Sequence, residues 1–190
     1  MNLTAITGGI GSGKSVVSRI LRILGYPVYD CDSRARTIMD ADIEIQRRIA
    51  DEVCREAISE SGIDRRRLAS AVFADRLMLE RLNSIVHNAV KEDLKLWAAS
   101  QKRQPFVETA ILYESGIDRM VDKVWNVYAP REIRLSRGMT RDNACADAVE
   151  ARIAAQEAFR PDRIHPRTFT IINDGVHPVI PQILKLIATA

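Results

Sequence analysis

The stretch Gly8-Gly9-Ile10-Gly11-Ser12-Gly13-Lys14-Ser15 has the pattern G-x-x-x-x-G-K-[ST] of a phosphate-binding loop. Its glycines let backbone N–H groups approach an anion with no Cβ in the way. Lys14 carries a point charge suited to the β- and γ-phosphates of a nucleoside triphosphate, and the Ser15 hydroxyl is suited to Mg²⁺. A helix opening at the loop turns its positive dipole end toward the same phosphates.

Phosphoryl transfer also needs an acceptor hydroxyl held in line and a group to take its proton. Asp30 and Asp32, flanking Cys31, are the best candidates. In an extended segment alternate residues share a face, so both carboxylates would point into one cleft. One would then accept the proton while the other orients the hydroxyl or organises Mg²⁺ through water. The competing reading is a pair of solvated aspartates after a strand. A second source of charge is Arg131, Arg134, Arg137 and Arg141, the last three at i, i+3 and i+7 on one helical face. Arginine suits bidentate phosphate contacts, and a helical hairpin carrying this row is expected to close over a triphosphate. Here the competing reading is a solvated basic face. His87 stands beside Val86 and close to Val90, where packing is its commoner role, and the three histidines lack metal-ligand spacing. Glu108 ends an apolar strand, where it serves either near Mg²⁺ or in structural pairing. Glu114 is equally open.

These groups need elements to position them. Leu3 to Thr7 reads as a short strand ahead of the loop, and Val16, Val17, Ile20, Leu21 and Leu24 recur at helical spacing after it. That helix is expected to end near Gly25. Pro27-Val28-Tyr29 reads as a second strand, with Asp30 and Asp32 at its carboxyl end, where open α/β sheets bind ligands. Ser33 is the expected cap of a helix through Met39. From Ile43 to Leu96 the pattern is mainly helical, with a break at Ser61-Gly62 and no strand, and Ile85 to Ala99 is read as its last helix. Strands three, four and five are expected at Pro105–Glu108, Val121–Val127 and Phe169–Ile172. The basic run from Arg131 closes with a glycine break at Gly138. Asn143 is expected to cap a helix to about Phe159, and Ile180–Ile187 closes the chain. Strands alternating with helices predict an α/β fold on a parallel sheet.

A chain of 190 residues suits one domain, or one core carrying insertions. The formal net charge of +3 fits an anionic small molecule as well as nucleic acid and decides between neither. Aromatic residues at 5% argue against a base-stacking surface. No apolar run is long enough to span a membrane, and the first residues enter a strand without a charged-then-apolar signal segment. Cys31, Cys54 and Cys145 are widely spaced, which predicts reduced thiols and a cytoplasmic protein.

Taken together, the chain resembles the dephospho-CoA kinases. The resemblance starts at Thr7 through Ser15 and continues with Asp30-Cys31-Asp32, similar to an Asp-Ala-Asp stretch in that family. Leu68-Ala69, Val72-Phe73 and Leu82-Asn83-x-x-Val86-His87 resemble its helical segment, and Ile111-Leu112-Tyr113-Glu114 its Leu-Leu-Phe-Glu. Arg134-Leu135-Ser136-Arg137 through Ala155-Gln156 resembles its lid, and Ile172-Asn173-x-Gly175 its last strand. The resemblance implies a three-layer fold with a five-stranded parallel sheet and ATP-dependent, Mg²⁺-assisted phosphorylation of the 3′-hydroxyl of dephospho-CoA. It implies a core over about 1–39, 104–130 and 166–190, a helical CoA-binding insertion over about 40–103, and a lid over about 131–165.

By the same resemblance, ATP lies against Gly9, Ile10, Gly11, Ser12, Gly13, Lys14, Ser15, Val16, Arg141 and Asn173. The acceptor lies against Thr7, Asp30, Asp32 and His87. Asp32, Lys14 and Arg137 carry the catalysis, with Asp32 as general base and Ser15 as the metal ligand. Three departures stand out: His87-Asn88 replaces the family's His-Pro, Val16 a frequent threonine, and Arg167-Thr168 an Ala-Asp. The chief alternative is another small-molecule P-loop kinase acting on a nucleotide or nucleoside. A GTPase switch would need N-K-x-D and D-x-x-G, and neither string occurs. No nucleic-acid recognition motif accompanies the arginines, and neither nucleic acid nor membrane is an expected partner.

Overall fold

The computed structural model describes residues 2–59, 62–159 and 161–189. In chain order the elements are β1 (Thr4–Thr7), α1 (Lys14–Ile23), β2 (Val28–Asp30), α2 (Cys31–Ala41), α3 (Ile43–Glu52), β3 (Ile58–Ser59) and β4 (Gly62–Ile63). There follow α4 (Arg65–Ala74), α5 (Arg76–Ala99), β5 (Phe106–Glu108), β6 (Lys123–Tyr128), α6 (Arg131–Asp142), α7 (Ala146–Ala158), β7 (Thr168–Ile172) and α8 (Val179–Ala188). Two compact units result: Met1–Tyr29 with Gln101–Ala190, and Asp30–Ser100.

The first unit is built on a five-stranded parallel sheet in the order β2-β5-β1-β6-β7. β1 is the central strand, and Thr4 pairs with Phe106 on one side and Lys123 on the other. All four residues of β1 are buried, as a strand covered on both faces requires. One core cluster joins Val17 and Leu21 of α1, Ile183 of α8, and Ile6, Phe106, Trp125, Val127 and Ile171 of the sheet. Phe106 packs its ring on Trp125 at 5.0 Å between centroids and meets Tyr26 edge-on at 5.5 Å. Gly25 follows α1 with φ 81°, the left-handed turn in which a side chain would be strained. The Arg103 guanidinium lies over the Tyr26 ring at 3.6 Å and donates to the Leu24 carbonyl at 2.7 Å.

The second unit has its own core, with Ile45, Ile49 and Val53 meeting Leu68, Val72 and Ile85. Aspartates begin its helices. Asp42 accepts from the N–H groups of Glu44 and Ile45, Asp64 from those of Arg66 and Arg67, and Asp75 from that of Leu77.

Several expected elements are placed differently. Asp30 caps α2, accepting from the Ser33 N–H at 3.1 Å, so the helix begins two residues before the expected cap. The helical stretch is interrupted by a hairpin in which Ile58 pairs with Ile63 and Ser59 with Gly62. Gly62 takes φ 104° at its turn. Of the expected break, Ser61 lies outside the described residues. Asp75 separates α4 from α5: Leu68 and Val72 are buried on α4, while Leu79 on α5 is exposed. Gly138 does not break a helix. It is buried inside α6, where an added Cβ would lie 2.6 Å from Val149 Cγ1 of α7, so it permits close helix packing. Asn143 ends α6 in a left-handed conformation at φ 48°, and α7 instead follows Cys145. α2 packs on α5 and α3, and the division of units falls at Asp30. Cys31, Cys54 and Cys145 are free. Among the described residues no helix is long and apolar enough to cross a membrane.

Candidate active site

The carboxyl end of β1 delivers the phosphate loop. Ser12 N–H donates to the Gly9 carbonyl at 3.1 Å and closes a tight turn. Gly13 precedes α1 with φ 95° and supplies no side-chain cap, which leaves the first helical N–H groups directed at the loop. Lys14 Nζ folds back across it, donating to the carbonyls of Gly8 at 2.9 Å and Gly9 at 3.3 Å. Ser15 and Val16 are exposed in the first turn of α1.

Side chains from elsewhere in the same unit fasten this loop. Asn173, just past β7, donates from Nδ2 to the Ser12 carbonyl at 2.8 Å and receives Arg137 Nη1 on its own carbonyl at 3.0 Å. Arg134 Nε donates to the Ile10 carbonyl at 2.9 Å, and Gln156 Oε1 accepts the Ile10 N–H at 2.7 Å. The loop also borders a cavity of about 400 Å³ lined by Thr7, Ser12, Tyr113, Arg134, Gln156 and Phe159 among others. Glu114 lines it too.

The arginine row has divided employment. Arg131 pairs with Glu150 and Glu157 of α7, and Arg134 with Glu157 at 2.7 Å. The hydrogen bond from Arg134, then the positive field of both guanidiniums, holds the Glu157 carboxyl below its ordinary range. Arg141 pairs with Asp142, whose carboxyl is held down to about 2 by the hydrogen bonds of Arg141 and Arg152. Of the row, Arg134 and Arg137 therefore bear on the loop, and Arg141 on the α6–α7 turn. Gln156 escaped the reading as a loop contact, although it sits in the Ala155-Gln156 pair that carries part of the resemblance.

Asp30, Asp32 and His87 belong to the helical unit. Asp32 is exposed in the first turn of α2. The alternation argument for a shared face therefore does not apply, because only Asp30 is in a strand. His87 is half-buried in the middle of α5, which runs unbroken through Asn88. A proline at 88 would remove an internal N–H of that helix.

The sequence profile of the dephospho-CoA kinase family matches residues 2–179. The chain belongs to this family. It is 40% identical over 185 residues to the dephospho-CoA kinase of Bacteroides fragilis (strain YCH46), covering 96% of this chain and 90% of that one. It is also 40% identical over 186 residues to the dephospho-CoA kinase of Porphyromonas gingivalis, covering 97% and 92%. The crystal structure of TT1252 from Thermus thermophilus shares the fold with a TM-score of 0.80 at 32% identity, covering 99% of this chain and 96% of that one. As a member of the dephospho-CoA kinase family the chain is a kinase with a P-loop nucleotide site.

The residues present fit a nucleotide phosphate. Ser12 Oγ and Arg134 Nη2 are buried polar atoms without a partner among the described residues, and both residues line the cavity beside the loop. A phosphate oxygen would satisfy such donors, and leaving them bare is costly. Among the described residues no cluster of three His, Cys, Asp or Glu side chains could hold a metal. A Mg²⁺ ion here would depend on phosphate oxygens, water and few protein ligands, which is its usual habit in such sites.

Proposed function

We propose that this protein transfers the γ-phosphoryl group of ATP to the 3′-hydroxyl of dephospho-CoA, giving coenzyme A and ADP. The observation that carries the reading is the phosphate loop itself: Lys14 is folded over it, and buried donors of Ser12 and Arg134 that have no partner among the described residues stand beside it. Membership of the family over nearly the whole chain supplies the acceptor.

In this reading the 3′-oxygen attacks the γ-phosphorus, the bond from that phosphorus to the β–γ bridging oxygen breaks, and ADP leaves with that oxygen. The hydroxyl proton passes to the carboxylate of Asp32. Gly9 to Val16 hold the phosphates, and Lys14 neutralises charge on the β- and γ-oxygens. Arg137, held by the Asn173 carbonyl, meets charge that grows in the transition state. Ser15 is the ligand we assign to Mg²⁺, which when bound would neutralise charge on the phosphates. Asn173 and Arg141 take the nucleotide side, and Thr7, Asp30 and His87 the acceptor. Residues 30–100 hold the CoA moiety, and residues 131–165 serve as the lid. The free cysteines suit a reducing, cytoplasmic setting.

The two aspartates separate under test. Asp32→Asn keeps size but removes the base, which should lower kcat by roughly 10²–10⁴-fold with little change in ATP affinity. Asp30→Asn retains a good helix cap and should cost far less. A larger loss from Asp30→Asn reverses the roles, and a few-fold loss from both places the base elsewhere.

A further inference from the structure

Both backbone polar groups of one loop residue, Ile10, are claimed from outside the loop. The Ile10 N–H donates to Gln156 Oε1 of α7, and the Ile10 carbonyl receives Arg134 Nε of α6. Neither claw is loose. Gln156 Nε2 donates to the Ala110 carbonyl at 3.1 Å, which fixes the amide so that its oxygen faces Ile10. Arg134 is fixed by Glu157 through Nη1, and its side chain is only 12% exposed.

The loop glycines are fitted to the same arginine. A Cβ at Gly9 would lie 2.5 Å from Arg134 Nη2, and a Cβ at Gly11 would collide with the Arg134 carbonyl oxygen. Gly11 also takes φ 77°, a conformation that resists side chains. The absence of side chains at Gly9 and Gly11 therefore admits α6 as well as an anion.

We infer that Gln156 and Arg134 are positioning residues. They clamp the two peptides flanking the Ile10 Cα, from α7 and α6, and so set the conformation in which the loop receives phosphate. The inference rests on the nucleotide reading of the loop. The clamp acts on the loop before any chemistry, so its loss belongs in ATP recognition rather than in the transfer step.

Gln156→Leu keeps the side chain's size and deletes both bonds. In the full-length protein without nucleotide, hydrogen exchange at the Ile10 amide should speed up by about tenfold. The KM for ATP should rise about five- to tenfold, the loss expected of one buried hydrogen bond. The KM for dephospho-CoA and kcat should stay within about twofold. Arg134→Lys keeps the charge but not the Nε donor and should speed Ile10 exchange as well; that readout is taken without nucleotide, so it is independent of the phosphate-facing Arg134 Nη2 and keeps the test open if Gln156→Leu folds poorly. Because both side chains hold the backbone of one residue, Ile10, the double variant should cost less than the product of the single losses.

An unchanged Ile10 exchange rate overturns the clamp. So does an ATP KM that stays put while the thermal midpoint falls, or two losses that simply multiply. Exchange at Ile10 is read without turnover, so an enzyme that fails to use ATP at all refutes the functional reading in a separate and recognisable way.

Discussion

Lys14 separates ligand chemistry from folding. Its ammonium lies on loop carbonyls rather than in the apolar core, and alanine is a good helix former at the start of α1. Lys14→Ala should cut turnover by about 10²–10³-fold or more with a thermal midpoint within a few degrees of the parent. A folded variant with normal turnover would remove Lys14 from the mechanism. His87 makes a different claim. Burial, and after it the charge of Lys91, holds its imidazole below the ordinary value. The folded state therefore favours the neutral ring. Its contribution to stability is full above the unfolded pKa of about 6.5 and declines as pH falls through and below it. His87→Gln should flatten the fall in thermal midpoint between about pH 7 and pH 5, and parallel profiles for the two proteins would contradict the assignment.

Among the elements, the α6–α7 pair is the most exposed to test. An alanine at Gly138 gains helix propensity of about 1 kcal/mol but drives its Cβ against Val149, at an overpacking cost of roughly 1–3 kcal/mol. Gly138→Ala should lower the thermal midpoint, and adding Val149→Ala should recover part of the loss. A stabilised Gly138→Ala protein would show that the helices have room. Arg137 projects from the same helix to the Asn173 carbonyl. Arg137→Ala should lower kcat more than it weakens ATP binding, and Arg137→Lys should rescue only partly because the fork is lost. A normal kcat would leave Arg137 a purely structural tie.

The same elements show what was legible in the sequence. β1, the loop and α1 could be read because a motif fixes their geometry and apolar residues flank it at the right spacing. The starts of α2, α4 and α5 were missed because aspartates cap them, and an aspartate looks alike in a cap, a turn or a site, whereas α3 begins at Ile43 as expected. The hairpin at Ile58–Ile63 has two residues per strand, too few for alternation to register. Gly138 and Asn143 were assigned by their usual habits, whereas a close helix contact decided the first and a left-handed helix end the second. The Ile10 clamp joins residues more than 120 positions apart, a pairing that no local pattern contains.

At the scale of the whole molecule, 190 residues divide into two units with separate cores, one around Phe106 and Trp125 and one around Ile49. The donor half of the reaction rests on one of them, and the net charge of +3 suits anionic nucleotides. The account's central claim is the acceptor, since a phosphate loop serves many kinases and says nothing of what they phosphorylate. The measurement that tests it most directly offers ATP and Mg²⁺ with dephospho-CoA, AMP, CMP or a nucleoside in parallel, and identifies each product by mass and by the position of the new phosphate. The account predicts one product, dephospho-CoA heavier by one phosphate on its 3′-oxygen, formed with ADP and lost in Lys14→Ala. Phosphorylation of AMP, CMP or the nucleoside with dephospho-CoA left untouched would contradict it.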